Sequence, residues 1–173
     1  MTSKLKTDIL ETVSGSGTIA LTNQLSGMTM ASVPSGSVIQ VKSYTGGGAT
    51  STSSTWIDTG VGGSITPSST SSKILATAHV GGCGTTGHAS AHLALQIVRD
   101  STSIHFFEGQ AGYNASASAN SIGACSGIKL DSPSTTSAVN YKIQMKNNGG
   151  SNGQVFTAGT SAVSSITLME IKG

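Results

Sequence analysis

The sequence predicts an all-β fold, an antiparallel β-sandwich or jelly roll with an extended N-terminal arm. Short stretches in which apolar and polar residues alternate recur along the chain, as they do in half-buried strands. Runs of Gly, Ser and Thr separate these stretches. No stretch has the 3.6-residue period of an amphipathic helix. Roughly eight to ten short strands are therefore expected.

Composition limits the classes of protein to which the chain can belong. It has 173 residues, 36% of them hydrophobic, which is enough for one domain with a buried core. Nine Lys and Arg residues are scattered singly and the net charge is only +2, so no nucleic-acid partner is expected. No apolar run approaches the roughly 18 residues of a membrane helix. The N-terminal residues lack the features of a signal peptide.

Residues 1–36 are predicted to form an attachment arm or intertwined stem. Two similar stretches, residues 13–21 and 25–33, each suggest a short strand that is too small to bury its own apolar face. Sister chains in a homotrimer would supply the missing partner, unless both strands fold back on the main domain. The apolar candidates for this contact are Ile19, Leu21, Leu25, Met28 and Met30.

Residues 37–173 are predicted to form the head. Its first part contains three alternating runs, at residues 38–44, 56–59 and 64–66. Residues 74–80 are apolar on nearly both faces, which is typical of a central strand or of one buried between the sandwich and a neighbouring chain. A loop is expected at residues 81–87.

The second half of the head begins with a predicted hairpin, in which residues 91–98 and 104–107 pair across a tight turn at residues 100 and 101. Further strands are expected at residues 122–130, 139–145, 155–158 and 165–171, with a loop at residues 147–153.

The longest predicted loop after the first part of the head is residues 109–120, and loops of about a dozen residues are usually functional or mobile. An exposed Tyr113 would suit contact with a glycan or a protein surface, by stacking and hydrogen bonding. The alternative is that the loop folds back with Tyr113 packed. The candidates for surface binding are Gly109, Gln110, Tyr113 and Asn114.

Four residues have a spacing that resembles that of metal ligands. They are His79, Cys83, His88 and His92. Zinc needs four converging ligands, and strand alternation does not place these four on one face. We therefore expect ordinary polar or interface histidines, with no metal and no cofactor.

Catalytic patterns are weak. Cys125 lies in a Gly-Ala-Cys-Ser-Gly run that resembles a nucleophile elbow, but an elbow requires a strand-to-helix turn and a strand is expected here. Cys83 and Cys125 are interpreted as buried free thiols, or as a disulfide that forms late. Glycan cleavage would need two carboxylates beside the sugar, and no such pair is evident, although one could form between subunits. We expect no enzyme.

Three segments carry a resemblance to a known class of proteins. They are SGSGTIALTNQLSGMTMASVPSGSVIQV, WIDTGVGGSITPSSTSSKIL and SSITLMEIKG. The chain resembles, over almost its whole length, the distal parts of tail-fibre and other virion structural proteins of marine and freshwater tailed phages. The resemblance implies a trimeric β-sandwich head, similar to the heads of tumour necrosis factor and complement C1q, on a thin intertwined stem.

The resemblance implies a virion structural protein that is made in the host cytoplasm and assembles with other tail or capsid proteins. The first expectation is a tail fibre or fibre tip that contacts a glycan or protein of the host surface. The alternative is a capsid decoration or cement protein held by the arm, which the short segment before the head favours. A glycan-degrading tailspike is the third hypothesis.

Overall fold

The computed structural model describes residues 33–116 and 118–173, and it confirms an all-β sandwich. Residues Pro34–Gly173 form one compact unit. The strands are β1 (Val38–Gly46), β2 (Thr50–Ser51), β3 (Ile57–Ile65), β4 (Lys73–Thr86), β5 (Leu93–Arg99), β6 (Thr102–Ala111), β7 (Ala119–Asp131), β8 (Val139–Asn147), β9 (Gln154–Phe156) and β10 (Ser164–Ile171). A 3-10 turn, Gly159–Ser161, is the one helical element among the described residues.

Two antiparallel sheets make up the sandwich. The first has six strands: β1, β10, β4, β9 and β2 follow one another, and β7 pairs with the other side of β4. The second has four strands in the order β3, β8, β5, β6. Strand β4 is central to the first sheet because it pairs with β10 and β9 on one side and with β7 along the other.

The core lies between the sheets and is built from alternate residues of each strand. Inward residues of β4 are Ile74, Ala76, Ala78 and Val80, all fully buried. From the second sheet they face Leu95, Ile97, Tyr141, Ile143 and Met145, which are also fully buried. The period-2 patterns of residues 74–80 and 139–145 therefore identified the core face of both strands correctly.

Several predicted boundaries were wrong because glycines let strands continue through irregular pairing. The runs predicted at residues 56–59 and 64–66 overlap one strand, β3 (Ile57–Ile65), whose register shifts between Asp58 and Gly62. The backbone of Gly60 has a φ of +81° at this shift. A bulge of this kind interrupts the alternation without ending the strand.

The predicted loops at residues 81–87 and 109–120 were too long. Strand β4 continues through Gly81 and Gly82 to Thr86, with register shifts against β7 between Val80 and Gly84. A Cβ atom on Gly82 would lie 2.4 Å from the carbonyl oxygen of Gly159, so this position has no room for a side chain. The second loop is shorter than predicted, because β6 continues to Ala111 and β7 begins at Ala119.

The sandwich has two distinct ends, which we call the entry end and the distal end. At the entry end the amide of Gly36 donates to the carbonyl of Lys172 at 2.8 Å, and the amide of Lys172 donates to Ser37 at 2.9 Å. Lys73 begins β4 beside this end, and Thr86 ends the strand at the distal end. The fourteen residues of β4 span about 45 Å between the two ends. The predicted arm contacts at Ile19, Leu21, Leu25, Met28 and Met30 lie outside the described residues.

Candidate distal binding surface

Three loops meet at the distal end, and their residues 87–92, 112–116 and 148–153 form what we call the distal loop cluster. The fully buried Asn147 organises the last of them. Its Nδ2 donates to the carbonyl of Asn152 at 2.9 Å, and its Oδ1 accepts the amide of Gly149 at 3.0 Å. One buried side chain thus supplies hydrogen bonds to the backbone of a glycine-rich loop that does not pair with a strand.

Asn148 connects the last loop to the first loop and to the end of β6. Its amide donates to the carbonyl of His92 at 2.9 Å, which ties the last loop to the first. Its Nδ2 donates to the carbonyl of Gly109 at 3.1 Å, at the end of β6. The connections between these loops are therefore short hydrogen bonds between segments that are far apart in sequence.

Tyr113 stands at the surface of this cluster. Its side chain is 54% exposed, and its ring makes an edge-to-face contact with His92 at a centroid distance of 5.6 Å. The amide of Tyr113 donates to the carbonyl of Gln110 at 3.1 Å, which closes a turn. Of the two arrangements considered for this loop, the structure has the one with an exposed tyrosine.

The other predicted contact residues lie beside Tyr113. Gln110 and Asn114 are exposed, and the Oδ1 of Asn114 accepts the amide of Ser116 at 3.1 Å in an Asx turn. Gly109 is half-buried beside the ring of Phe106, where a Cβ atom would lie 2.9 Å from the ring. Gly109 therefore has a packing role, and the residues with groups available to a ligand are Gln110, Tyr113 and Asn114.

Sequence reasoning missed His92 and Asn148 as members of this surface. The sequence pattern indicated His92 only as a weak metal-ligand candidate or an ordinary polar or interface histidine, and Asn148 only as a loop residue. Nothing in the local pattern predicts that Asn148 bonds to Gly109, because the bond depends on how the ends of β6 and β8 are placed in the second sheet.

The four residues with metal-like spacing do not converge. His79 is exposed on the outward side of β4, whereas Cys83 is buried. The Nδ1 of His88 accepts the amide of Ser90 at 3.0 Å, and the Nδ1 of His92 donates to the carbonyl of Ser90 at 2.8 Å. In the described part of the chain, no group of three His, Cys, Asp or Glu residues is placed to hold a metal ion.

Cys83 and Cys125 are both free and buried. They lie on the paired strands β4 and β7, next to the register shift. A hydrogen bond with Cys125, together with burial, raises the pKa of the Cys83 thiol. Cys125 is in the middle of a strand, so the strand-to-helix turn of a nucleophile elbow does not exist around it.

The five described carboxylates are engaged in contacts that hold the fold. Asp131 pairs with Arg99 and Tyr141, Glu170 with Gln40 and Ser68, Asp58 with Lys142 and Gln144, Glu108 with the amides of Gly109 and Gln110, and Asp100 with the amide of Asn140. These contacts give each carboxylate a structural role.

No family model matches the chain, and no curated protein is significantly similar to it. Within the described residues, no helix has the length and apolar character needed to cross a membrane.

Proposed function

We propose that the chain is a non-enzymatic virion structural protein, the trimeric head of a tail fibre or fibre tip that contacts the host surface. The polarity of the sandwich is the observation that carries this proposal. The chain comes from residues 1–32 into the entry end, where Gly36 bonds to Lys172. The distal loop cluster, with the exposed Tyr113, lies at the other end of β4. Attachment and contact would thus occupy opposite ends.

The order of the strands supports the head described by the resemblance. Without the short β2 and β9, the sheets have the orders β1, β10, β4, β7 and β3, β8, β5, β6. This is the eight-stranded order of a jelly roll. A trimer of such heads would present three distal loop clusters side by side, so weak individual contacts would add up to avid binding.

The chemistry of the distal loop cluster favours a host-surface glycan or protein as the partner. Tyr113 offers an aromatic face, and Gln110 and Asn114 offer amide donors and acceptors beside it. Aromatic and amide groups of this kind bind polar surfaces by stacking and by adaptable hydrogen bonds.

Localisation on the intact particle tests the proposal. A label fused to Gly173 and imaged on virions is expected at the tail tip or collar. Label distributed over the capsid with icosahedral multiplicity would overturn the tail-fibre function and would support a capsid decoration or cement protein instead.

A further inference from the structure

One face of the six-stranded sheet is apolar and uncovered in the compact unit. We call it the outer sheet face, and it comprises the outward side chains of β1, β10, β4 and β7. A row of four apolar residues crosses it in register: Val41, Met169, Leu75 and Leu130. Ile128 adjoins this row on β7 and is 62% exposed, while Val41 is 54% and Leu130 49% exposed. Exposed apolar residues that are contiguous across four strands mark an interaction surface.

The rest of the outer sheet face is small and nearly uncharged. The next rows hold Ser, Thr and His79, followed by glycines at the register shift and by Phe156 on β9. In the described strands, the outward positions of this sheet carry no Asp, Glu or Arg, and Lys73 lies at the entry end. An uncharged face of this composition can be buried without leaving an unpaired charge.

The outward face of the four-stranded sheet is different. Lys142 pairs with Asp58 at 2.9 Å, and Gln144 donates to the same carboxylate at 2.7 Å. Lys146 lies 4.9 Å from the ring centroid of Trp56. Charged and amide groups on this face are already satisfied within the chain and in contact with water, as is typical of a solvated surface.

The edges of the six-stranded sheet are protected against pairing with another sheet. Lys42 on edge strand β1 is opposite the buried Leu168, and Lys129 on β7 is opposite the buried Ala76. An inward-facing lysine on an edge strand is a device that opposes edge-to-edge association. Association through this sheet therefore has to use its face.

We propose that the outer sheet face binds a second copy of this chain. This inference rests on the proposed function and deepens it, since it names the surface through which the heads assemble. A nearly neutral face does not repel its own copies, as a strongly charged one would. The strands β1, β10, β4 and β7 have 9, 8, 14 and 13 residues. At about 3.3 Å per residue and about 4.8 Å between strands, they give roughly 700 Å² of projected area, which is of the order of the roughly 800 Å² that each partner of a stable complex buries.

The experiment compares charged substitutions on the two sheet faces in the full chain. Wild type is expected to be oligomeric in analytical ultracentrifugation over a range of concentrations. Ile128→Glu would bury an unpaired carboxylate between copies and should weaken self-association by about 100-fold. The matched control is Phe106→Glu on the four-stranded sheet, where Phe106 is 54% exposed against 62% for Ile128, and it should assemble like wild type.

A second variant tests the same sheet face in case Ile128→Glu does not fold. Ser126 is exposed on β7 next to Ile128, so Ser126→Arg adds a charge to the same face at a position where packing is not disturbed. Circular dichroism and thermal unfolding verify that each variant is folded. Ser126→Arg should also be monomeric at concentrations at which Phe106→Glu is assembled.

Two results would overturn the inference. One is a wild-type chain that is monomeric at all concentrations. The other is assembly of folded Ile128→Glu and Ser126→Arg with wild-type affinity, which would assign association to residues 1–32 or to another surface. Tail localisation together with wild-type assembly of both folded variants would leave the proposed function standing without this inference. Capsid localisation with assembly lost in Ile128→Glu would support this inference and overturn the proposed tail-fibre function.

Discussion

Asp131 connects the two sheets through the most buried ion pair of the described residues. The Nη1 of Arg99 donates to both carboxylate oxygens, at 2.9 and 2.7 Å, and the hydroxyl of Tyr141 donates to Oδ2 at 2.7 Å. Burial and the hydrogen bond to Asp131 raise the pKa of Tyr141, so its hydroxyl remains a donor. The carboxylate therefore neutralises the Arg99 cation and accepts the hydrogen bond of a buried phenol.

Asp131→Ala is expected to lower the free energy of unfolding by about 3 kcal/mol, because it leaves the guanidinium without its counter-ion and the buried phenol without its acceptor. Asp58→Ala is the matched control, since Asp58 also pairs with a cation but has a side chain 54% exposed. Its expected cost is below about 1 kcal/mol. Urea denaturation of both variants measures the difference, and equal costs would contradict the role assigned to Asp131.

Glu170 makes stability depend on pH. Burial opposes ionisation of this carboxyl, but hydrogen bonds from Gln40 at 2.5 Å and from the amide and hydroxyl of Ser68 outweigh it and hold its pKa below the usual 4.5. The unfolded chain then takes up the proton more readily than the folded one. The stabilisation from Glu170 is present above pH 4.5 and is lost as the pH falls through the lowered pKa.

Glu170→Gln is expected to make unfolding less dependent on pH. The wild-type chain should lose more stability than the variant on acidification from about pH 6 to about pH 3, because only the wild type has this carboxylate to protonate. Urea unfolding at several pH values in this window measures both slopes. Parallel slopes would mean that Glu170 has the same pKa in the folded and unfolded chains.

Some strands depend on bulge glycines, whose role cannot be recognised from the alternation of apolar and polar residues. Bulges at Gly60 in β3 and at Gly82 in β4 interrupt the alternation of inward and outward side chains. The prediction from the sequence therefore divided β3 into two runs and ended β4 too early. Strand β8 has no such interruption, and its predicted alternation matches its burial residue by residue. Strand prediction was accurate for strands that contain no bulge.

Asn147→Ala should cost about 2 to 3 kcal/mol of stability, since it removes a buried side chain that bonds to the backbone of Asn152 and Gly149. Asn148→Ala removes only the exposed bond to Gly109 and should cost less than about 1 kcal/mol. Thermal unfolding measures both costs. Hydrogen exchange should rise in residues 148–153 of the first variant, and similar effects from the two substitutions would refute the organising role of Asn147.

The distal loop cluster and the outer sheet face are separate surfaces of the compact unit, so a substitution on one can be tested without changing the other. If the chain is the proposed trimeric fibre head, Tyr113→Ala is expected to reduce adsorption of the particle to its host by at least about 10-fold, because each lost contact would be multiplied across the three copies. Assembly of the purified chain should be unaffected, as Tyr113 lies in the distal loop cluster and not on the outer sheet face. Adsorption assays with Gln110→Ala as a second variant of the same surface measure the effect. Normal adsorption by both variants would place host contact elsewhere.

The amino-acid sequence by itself determined the all-β class and the inward faces of β4 and β8, because alternation along a strand is a local property that burial imposes. It also placed Tyr113 in a polar loop. Only the tertiary structure decided that Asn148 bonds to Gly109 at the end of β6, and that Leu75 lies in one row with Val41 and Leu130. Register and sheet order bring together residues nearly 90 positions apart, and no local pattern encodes which strands will be neighbours.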